Sequence, residues 1–266
     1  MRQSASVVWR RQPAAAISLV VMVLAMIATP LFDRGGTERR SLASVVVLGL
    51  LGVGIFSAWN VSRGRVIVVA LVMMLVSFGV ELLGSKTGFP FGAYEYTATL
   101  APRVWGVPVI VPCAWTGITF ISYGMFRRSP TQAWRQVVLM ALSITAWDVF
   151  LDPQMVGEGY WRWASSELTF RGIPLVNYVG WFGTATVMAL LMVVLCEGNG
   201  IDQQPLLPPA EDFLPLLAYV ALNVLSVIGF LVFFGDAVVA LVGAIAMGCC
   251  AWRGVMHRLS QSKVVS

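Results

Sequence analysis

Four acidic residues lie where long apolar segments meet their connections. Glu81 is near the end of the third such segment, and Glu95 follows in the next connection. Asp148 and Asp152 end the fifth segment, and their i, i+4 spacing puts them on one helix face. Because burial and a neighbouring anion both favour a neutral carboxyl, one of this pair is expected to keep its proton, as a general acid requires. Ionisable groups in spanning helices mark functional sites, so the candidate catalytic residues are Glu81, Asp148, Asp152 and Glu95.

Aromatic residues interleave with these acids, whereas the other connections contain almost none. Trp and Tyr are enriched at membrane interfaces in general, which explains part of the pattern but not its restriction to the acidic connections. The face of an aromatic ring stabilises positive charge, so acids ringed by aromatics suit chemistry through a carbocation. Asn177 is expected to hold a water molecule. The candidate substrate-binding residues are Tyr94, Tyr96, Trp115, Trp147, Tyr160, Trp161, Trp163, Asn177 and Trp181.

Other kinds of site are poorly supported. The spacing of Asp148 and Asp152 also occurs in magnesium–diphosphate motifs, but the sequence has no second Asp-rich motif and few nearby basic residues. The single histidine, His257, lies in a basic C-terminal tail, and the four cysteines are scattered through apolar runs. There is no P-loop, GxGxxG or GxSxG motif. We therefore predict neither a cofactor nor a metal.

The composition indicates a membrane protein. Hydrophobic residues make up 58% of the 266 residues and charged residues only 12%, with a mean hydropathy of +0.80; soluble domains carry about 25% charged residues. The net charge of +5 comes from short basic clusters between apolar runs. Such clusters orient helices in a bilayer, so a nucleic-acid partner is not expected. We predict one integral membrane domain over residues 1–266, an all-α polytopic bundle.

The number of spanning helices follows from the apolar runs, since a span needs about 20 residues. Eight are predicted, with seven as the alternative because only Gly235 and Asp236 separate the last two. The first run follows Arg10 and Arg11 but lacks a small-residue cleavage site, so we interpret it as a retained helix. The predicted spans are 14–32, 42–60, 66–84, 107–126, 134–152, 173–196, 213–234 and 236–252.

The basic residues favour a cell-membrane protein with both termini in the cytoplasm. Eleven of the 18 fall on the terminal side: Arg2, Arg10, Arg11, Arg63, Arg65, Arg127, Arg128, Arg135, Arg253, Arg258 and Lys263. The other seven are Arg34, Arg39, Arg40, Lys86, Arg103, Arg162 and Arg171. The cluster formed by Arg34, Arg39 and Arg40 is the main observation against this orientation. The long connections 85–106 and 153–172 fall on one side in either orientation, and 197–212 is predicted to be a solvated connector.

The middle of the sequence contains an internal repeat with an offset of 66 residues. The two copies read Gly106-x-Pro108-x6-Trp115-x-Gly117 and Gly172-x-Pro174-x6-Trp181-x-Gly183. Tyr94 and Tyr160 have the same offset. We predict a parallel two-helix repeat with units of about 70–126 and 137–192. The alternative is that Gly-x-Pro simply begins helices, with Pro in the first turn.

Two motif blocks resemble the membrane carotenoid-biosynthesis family, which includes carotenoid 1,2-hydratases and bisanhydrobacterioruberin hydratase. The resemblance covers about residues 70–185. The first block is Glu81-x-x-Gly84-x-x-Thr87-Gly88-x-x-Phe91-Gly92-x-Tyr94-x-Tyr96, then Gly106-x-Pro108 and Trp115. The second is Asp148-x-x-x-Asp152-Pro153-x-Met155, then Trp161-x-Trp163, Gly172-Ile173-Pro174, Asn177 and Gly180-Trp181.

The resemblance implies cofactor-free addition of water to the terminal C1–C2 double bond of an acyclic carotenoid such as lycopene or a bacterioruberin precursor. The substrate would come from the lipid phase, with membrane lipids and other enzymes of the pathway as partners. Our own hypothesis for the roles is that Asp148 or Glu81 is the general acid, while Asp152 or Glu95 positions or deprotonates the water. The alternatives are a lycopene cyclase-type isomerase and a non-enzymatic carrier of carotenoids or small solutes.

Overall fold

The computed structural model describes residues 12–59, 63–127, 133–164, 168–197 and 213–265, with side chains up to residue 259. Several predictions fall outside these ranges. They concern the orienting residues Arg2, Arg10, Arg11 and Arg128, the side chain of Lys263, and nearly all of the connector 197–212. The described chain is an all-α bundle, as predicted.

Eight helices form the bundle within the described ranges. They are α1 (Pro13–Ala28), α2 (Thr37–Ala58), α3 (Arg63–Thr87), α4 (Ile110–Phe126), α5 (Ala133–Gly157), α6 (Leu175–Glu197), α7 (Leu214–Gly229) and α8 (Ala237–Val265). A 3₁₀ turn, Thr29–Leu31, extends α1, and a π-helical turn, Phe230–Phe234, extends α7. Counted with these turns, seven segments are long and apolar enough to cross a membrane, whereas α4, with 17 residues, is shorter than all seven. The predicted polytopic membrane bundle is confirmed.

Local sequence explains why α7 and α8 are separate helices. Gly235 adopts a left-handed conformation with φ of 69°, which glycine reaches without steric penalty and which ends helices. Asp236 then caps α8, because its Oδ1 accepts hydrogen bonds from the backbone N–H groups of Val238 and Val239 at 3.1 Å. Gly235 therefore ends α7 and Asp236 begins α8. The two residues that left the sequence prediction between seven and eight helices separate two distinct helices.

Helix α4 lies at the centre of the bundle. Every residue from Ala114 to Tyr123 is buried, and α4 contacts α2, α3, α5, α6 and α7. A helix that is apolar on all sides is expected in such a position. Gly117 permits the closest approach, since a Cβ there would lie 2.9 Å from the backbone nitrogen of Leu51 in α2.

Short strands join the two long connections at one end of the bundle. Strand β1 (Tyr94–Tyr96) pairs antiparallel with β4 (Trp161–Trp163). Two small hairpins follow, β2 (Arg103–Val104) with β3 (Val107–Pro108) and β5 (Thr169–Phe170) with β6 (Ile173–Pro174). The pairing of β1 with β4 places the two connections on the same side, as the order of the spans requires.

The two hairpins have the same turn. Trp105 and Gly106 have φ values of 48° and 96°, and Arg171 and Gly172 have 53° and 84°, so both turns contain two successive left-handed residues, as in type I′ hairpins. Each unit, about 70–126 and 137–192, thus contains a helix, a short strand, a hairpin and a second helix in that order. We propose that they are copies of one two-helix element within a single membrane domain.

The arginine cluster that disagreed with the orientation rule makes specific contacts inside the protein. Arg39 and Glu158 form a buried ion pair at 2.5 Å, and the Nη1 of Arg39 also donates to the carbonyl oxygen of Phe32. Arg34 donates to the carbonyl oxygen of Phe233 at 2.7 Å. These cations stabilise the fold at this end of the bundle, which gives them a role independent of orienting the chain.

We expect Glu158→Met to lower the free energy of unfolding by about 3–5 kcal/mol, because it leaves the buried Arg39 guanidinium without a counter-charge. Unfolding in detergent measures the change. Glu38→Met is the matched control, since Glu38 is exposed in the first turn of the same helix as Arg39, and its loss should stay below about 1 kcal/mol.

The double variant Arg39→Met with Glu158→Met should recover most of the loss, because an apolar pair can replace a buried ion pair. A loss in Glu158→Met no greater than in Glu38→Met contradicts the stabilising role of this pair.

Candidate active site

A cavity of about 500 Å³ lies at the end of the bundle that carries the paired strands. Residues of α1 through α7 and of strands β1 and β4 line it. Most of its wall is apolar, and its polar groups are concentrated where α3, α5 and α6 meet the connections. The predicted site residues that line it are Glu81, Tyr94, Tyr96, Trp115, Trp147, Asp152, Tyr160, Trp161, Trp163, Asn177 and Trp181.

Glu81 is buried in the cavity wall and accepts three side-chain hydrogen bonds. Its Oε2 accepts from the hydroxyls of Tyr94 at 2.6 Å and Tyr96 at 2.5 Å. Its Oε1 accepts from the indole Nε1–H of Trp115 at 2.7 Å. Because an indole N–H can only donate, and the two hydroxyls can donate as well, this environment suits a carboxylate.

The two tyrosines on β1, outside the spanning helices, remain neutral donors over the ordinary pH range. Burial, followed by the charge of Glu81, raises the pKa of Tyr94. The same two causes raise the pKa of Tyr96 well above its ordinary value. An alkaline loss of function is therefore not expected from these phenols.

The second acidic centre is the pair Asp148 and Asp152 near the end of α5. Both are buried. The side-chain nitrogen of Asn177 donates to Oδ2 of each, at 2.8 Å to Asp148. Oδ1 of Asp152 accepts from the indole of Trp161 at 2.9 Å. Two carboxylates this close repel each other, and a shared proton relieves that repulsion. Asn177, predicted as a water ligand, bridges the two acids.

The two aspartates are placed differently relative to the cavity. Asp152 lines it, whereas Asp148 lies behind Asp152, one helical turn earlier in α5. Oδ1 of Asp148 is buried and accepts no hydrogen bond from the described residues. Asp152 can therefore transfer a proton directly to a molecule in the cavity. Asp148 can share that proton with Asp152 but does not itself reach the cavity.

Aromatic rings form the walls between the two acidic centres. Trp115 and Trp181 stack with ring centroids 4.0 Å apart. On the paired strands, Tyr94 lies 5.2 Å from Trp163, and Tyr96 lies 5.9 Å from Trp161. The rings of the first connection thus pack against those of the second, and the sheet between β1 and β4 holds them in register.

Glu95 does not reach the cavity. Successive side chains of a strand point to opposite faces, so Glu95 points away from the cavity-lining Tyr94 and Tyr96. It is exposed, and its strand partner is Arg162. The structure therefore does not bring this predicted catalytic acid together with the others.

Part of the cavity wall was not identified from the sequence. Phe91 is buried between Tyr94 and Trp115, although the first motif block contained it. Arg39 also lines the cavity, but the sequence analysis considered it only for the orientation of the helices. The lining residues of α1, α2 and α7 are ordinary apolar residues and carried no signal. No cluster of three or more potential metal-binding side chains is found in the part of the chain described here.

Comparison with known proteins decides the family. The sequence model of the carotenoid biosynthesis protein family matches residues 41–250, which is most of the chain. The chain belongs to this family. Both acidic centres and the paired strands lie within the matched region. The resemblance seen in the two motif blocks is thereby confirmed.

One relative of the chain is the bisanhydrobacterioruberin hydratase of Haloarcula japonica. The two are 30% identical over 144 residues, which is 52% of this chain and 47% of the relative. The match thus spans about half the length of that relative. No solved structure matches the chain.

A steric contact behind the cavity can be tested with two glycines of α6. A Cβ at Gly180 would lie 2.5 Å from the carbonyl oxygen of Pro90, whereas one at Gly183 would meet nothing within 4 Å. We expect Gly180→Ala to lower the free energy of unfolding by about 1–3 kcal/mol, because the backbone next to Phe91 must move away.

Gly183→Ala is the matched control and should be neutral, or stabilising by up to about 1 kcal/mol through helix propensity. Thermal unfolding in detergent compares the two variants. Equal behaviour of both contradicts the close packing of α6 on the turn at Pro90.

Proposed function

We propose that the protein is a carotenoid hydratase that adds water to the terminal C1–C2 double bond of an acyclic end group, without a cofactor. The observation that carries this proposal is that two buried carboxyl centres face one aromatic, largely apolar cavity. The name of the Haloarcula japonica relative supports the same chemistry. The substrate is a long-chain carotenoid from the lipid phase.

The first step is protonation of C2 by the shared proton of the Asp148 and Asp152 pair, delivered from Asp152 at the cavity surface. The electrons of the double bond form the new C–H bond, and a tertiary carbocation is left at C1. The side-chain nitrogen of Asn177 remains hydrogen-bonded to both carboxyls and stabilises the negative charge that Asp152 gains. Positioned acids of this kind typically accelerate reactions by about 10²–10⁴-fold.

Glu81 and the aromatic rings stabilise the cation. A carboxylate held by three donors is an oriented negative charge in an apolar environment, where electrostatic stabilisation is strongest. The faces of Trp115 and Trp181 add a cation–π contribution. Glu81 thus takes the role of electrostatic stabiliser, and the aspartate pair takes the role of acid.

Water captures the cation in the last step. Its oxygen forms a bond to C1, and one of its protons returns to the carboxylate of Asp152, which restores the starting state. The hydroxyls of Tyr94 and Tyr96 are polar groups at this end of the cavity that can hold that water. The rest of the lining excludes bulk water, which would otherwise compete for the acid.

A lycopene cyclase-type isomerase would use the same protonation and close the cation with a neighbouring double bond. The concentration of hydrogen-bonding groups at the acidic end favours capture by water. A carrier would leave the pigments unchanged. We further propose a location in the cell membrane with both termini in the cytoplasm, which puts the cavity at the opposite side of the bilayer.

We expect Asp148→Asn and Asp152→Asn each to reduce hydrated product by roughly 10²-fold or more, because the pair loses its transferable proton. The measurement is pigment mass in lycopene-accumulating cells with equal amounts of each variant in the membrane. Glu95→Gln is the matched control and should keep normal activity, since Glu95 is exposed on the far face of β1.

Product mass separates the candidate functions in the same cells. Hydration adds one water per modified end, cyclisation leaves the mass unchanged, and a carrier leaves the pigment unchanged. Full activity of Asp152→Asn removes Asp152 from the mechanism, and a product of unchanged mass excludes the hydratase.

A further inference from the structure

The cavity opens on one side of the bundle, between the ends of α1 and α7. Most lining residues are buried or half-buried, but Ile27 is 52% exposed and Leu31 is 74% exposed. Across from them, Ile228 is 46% exposed and Phe233 is 41% exposed. A residue that both lines a cavity and is exposed marks its mouth. These four apolar side chains therefore border an opening on the outer surface of the bundle.

The surroundings of this mouth are those of a lipid-facing surface. Leu24, one turn before Ile27 in α1, is 59% exposed, and Val224, one turn before Ile228 in α7, is 50% exposed. Neither lines the cavity. Apolar side chains therefore continue from the mouth along both helices, so a hydrocarbon chain can lie against the protein without leaving the apolar phase.

The volume of the cavity limits how much of the proposed substrate it can hold. About 500 Å³ is the volume of a pocket for a drug-sized ligand. A carotenoid of forty or fifty carbons is a rigid rod about as long as the ~30 Å hydrocarbon core of a bilayer is thick. Such a rod cannot lie wholly inside. Only its end can reach the acids while the remainder stays outside.

We propose that the gap between the ends of α1 and α7 is a lateral portal that admits one end of a linear polyene from the bilayer. The identity of the occupant, a carotenoid, rests on the proposed function. The end group passes Ile27 and Ile228 and reaches Asp152, while the rest of the rod lies in lipid against α1 and α7.

The chemistry of the mouth also selects the end group. The charged residue that lines the cavity nearest to α1 is Arg39, and its guanidinium donates to Glu158 and to the carbonyl oxygen of Phe32. The mouth itself is apolar, so it favours an unmodified hydrocarbon end over one that already carries a hydroxyl. The two ends of one carotenoid are then processed in separate visits, with the singly hydrated molecule released between them.

Bulky substitutions at the mouth test the portal. Ile27→Trp and Ile228→Trp should each reduce hydrated product by roughly tenfold or more, because a filled mouth misplaces or excludes the end group. Leu24→Trp and Val224→Trp are the matched controls one turn away and should stay within about twofold of the unchanged protein. Membrane levels and unfolding temperatures of the four variants are measured alongside.

Photocrosslinking identifies the occupant directly. A diazirine analogue of leucine is placed at position 228, or at position 75 of α3, in protein reconstituted with an acyclic carotenoid, and the adduct is read by mass. Leu75 is 70% exposed, does not line the cavity and lies on neither α1 nor α7. We expect a carotenoid adduct at 228 and only phospholipid adducts at 75. Two results overturn the portal, provided that the unchanged protein makes hydrated product. One is phospholipid adducts alone at both positions, and the other is equal activity of the mouth variants and the control variants. Failure of the unchanged protein to hydrate any carotenoid overturns the proposed function instead.

Discussion

The arrangement of this protein depends on satisfying buried carboxyl groups at one end of an apolar bundle. A carboxyl in such a place is tolerated only when it is hydrogen-bonded or shares its charge. Glu81 obtains its three donors from Tyr94, Tyr96 and Trp115, and Asp152 obtains donors from Trp161 and Asn177. The connections must therefore fold back over the helix ends, and the cavity is the space that this folding encloses.

Each half of the core provides the donors for its own acid. The donors to Glu81 lie in the first pair of helices and its connection, and those to Asp152 lie in the second. The halves meet through the pairing of β1 with β4 and the stack of Trp115 on Trp181. The halves differ in their acids: one half holds a single carboxyl among three donors, and the other holds two carboxyls bridged by an amide. In the function that we propose, the first half supplies a fixed negative charge and the second supplies a transferable proton.

The helices outside these halves complete the wall of the cavity. α1, α2 and α7 contribute apolar side chains, and the Arg39–Glu158 ion pair connects α2 to the end of α5. An apolar mouth between α1 and α7 suits the substrate that we propose, which would come from the lipid phase. The acids thus lie next to the paired strands of the connections, whereas the exposed lining residues lie on the apolar segments of α1 and α7.

The sequence by itself determined the membrane bundle, the family, and the acidic, tyrosine and tryptophan residues that line the cavity. Apolar length and acids in apolar surroundings are local properties that can be recognised along the chain. Only the tertiary structure decided that Glu95 points away, because strand register sets the face of a side chain. It also decided that α4 is central, that Arg39 pairs with Glu158 and that α1 and α7 border the cavity. Membrane helices are apolar towards lipid and protein alike, so their sequence does not distinguish the two faces.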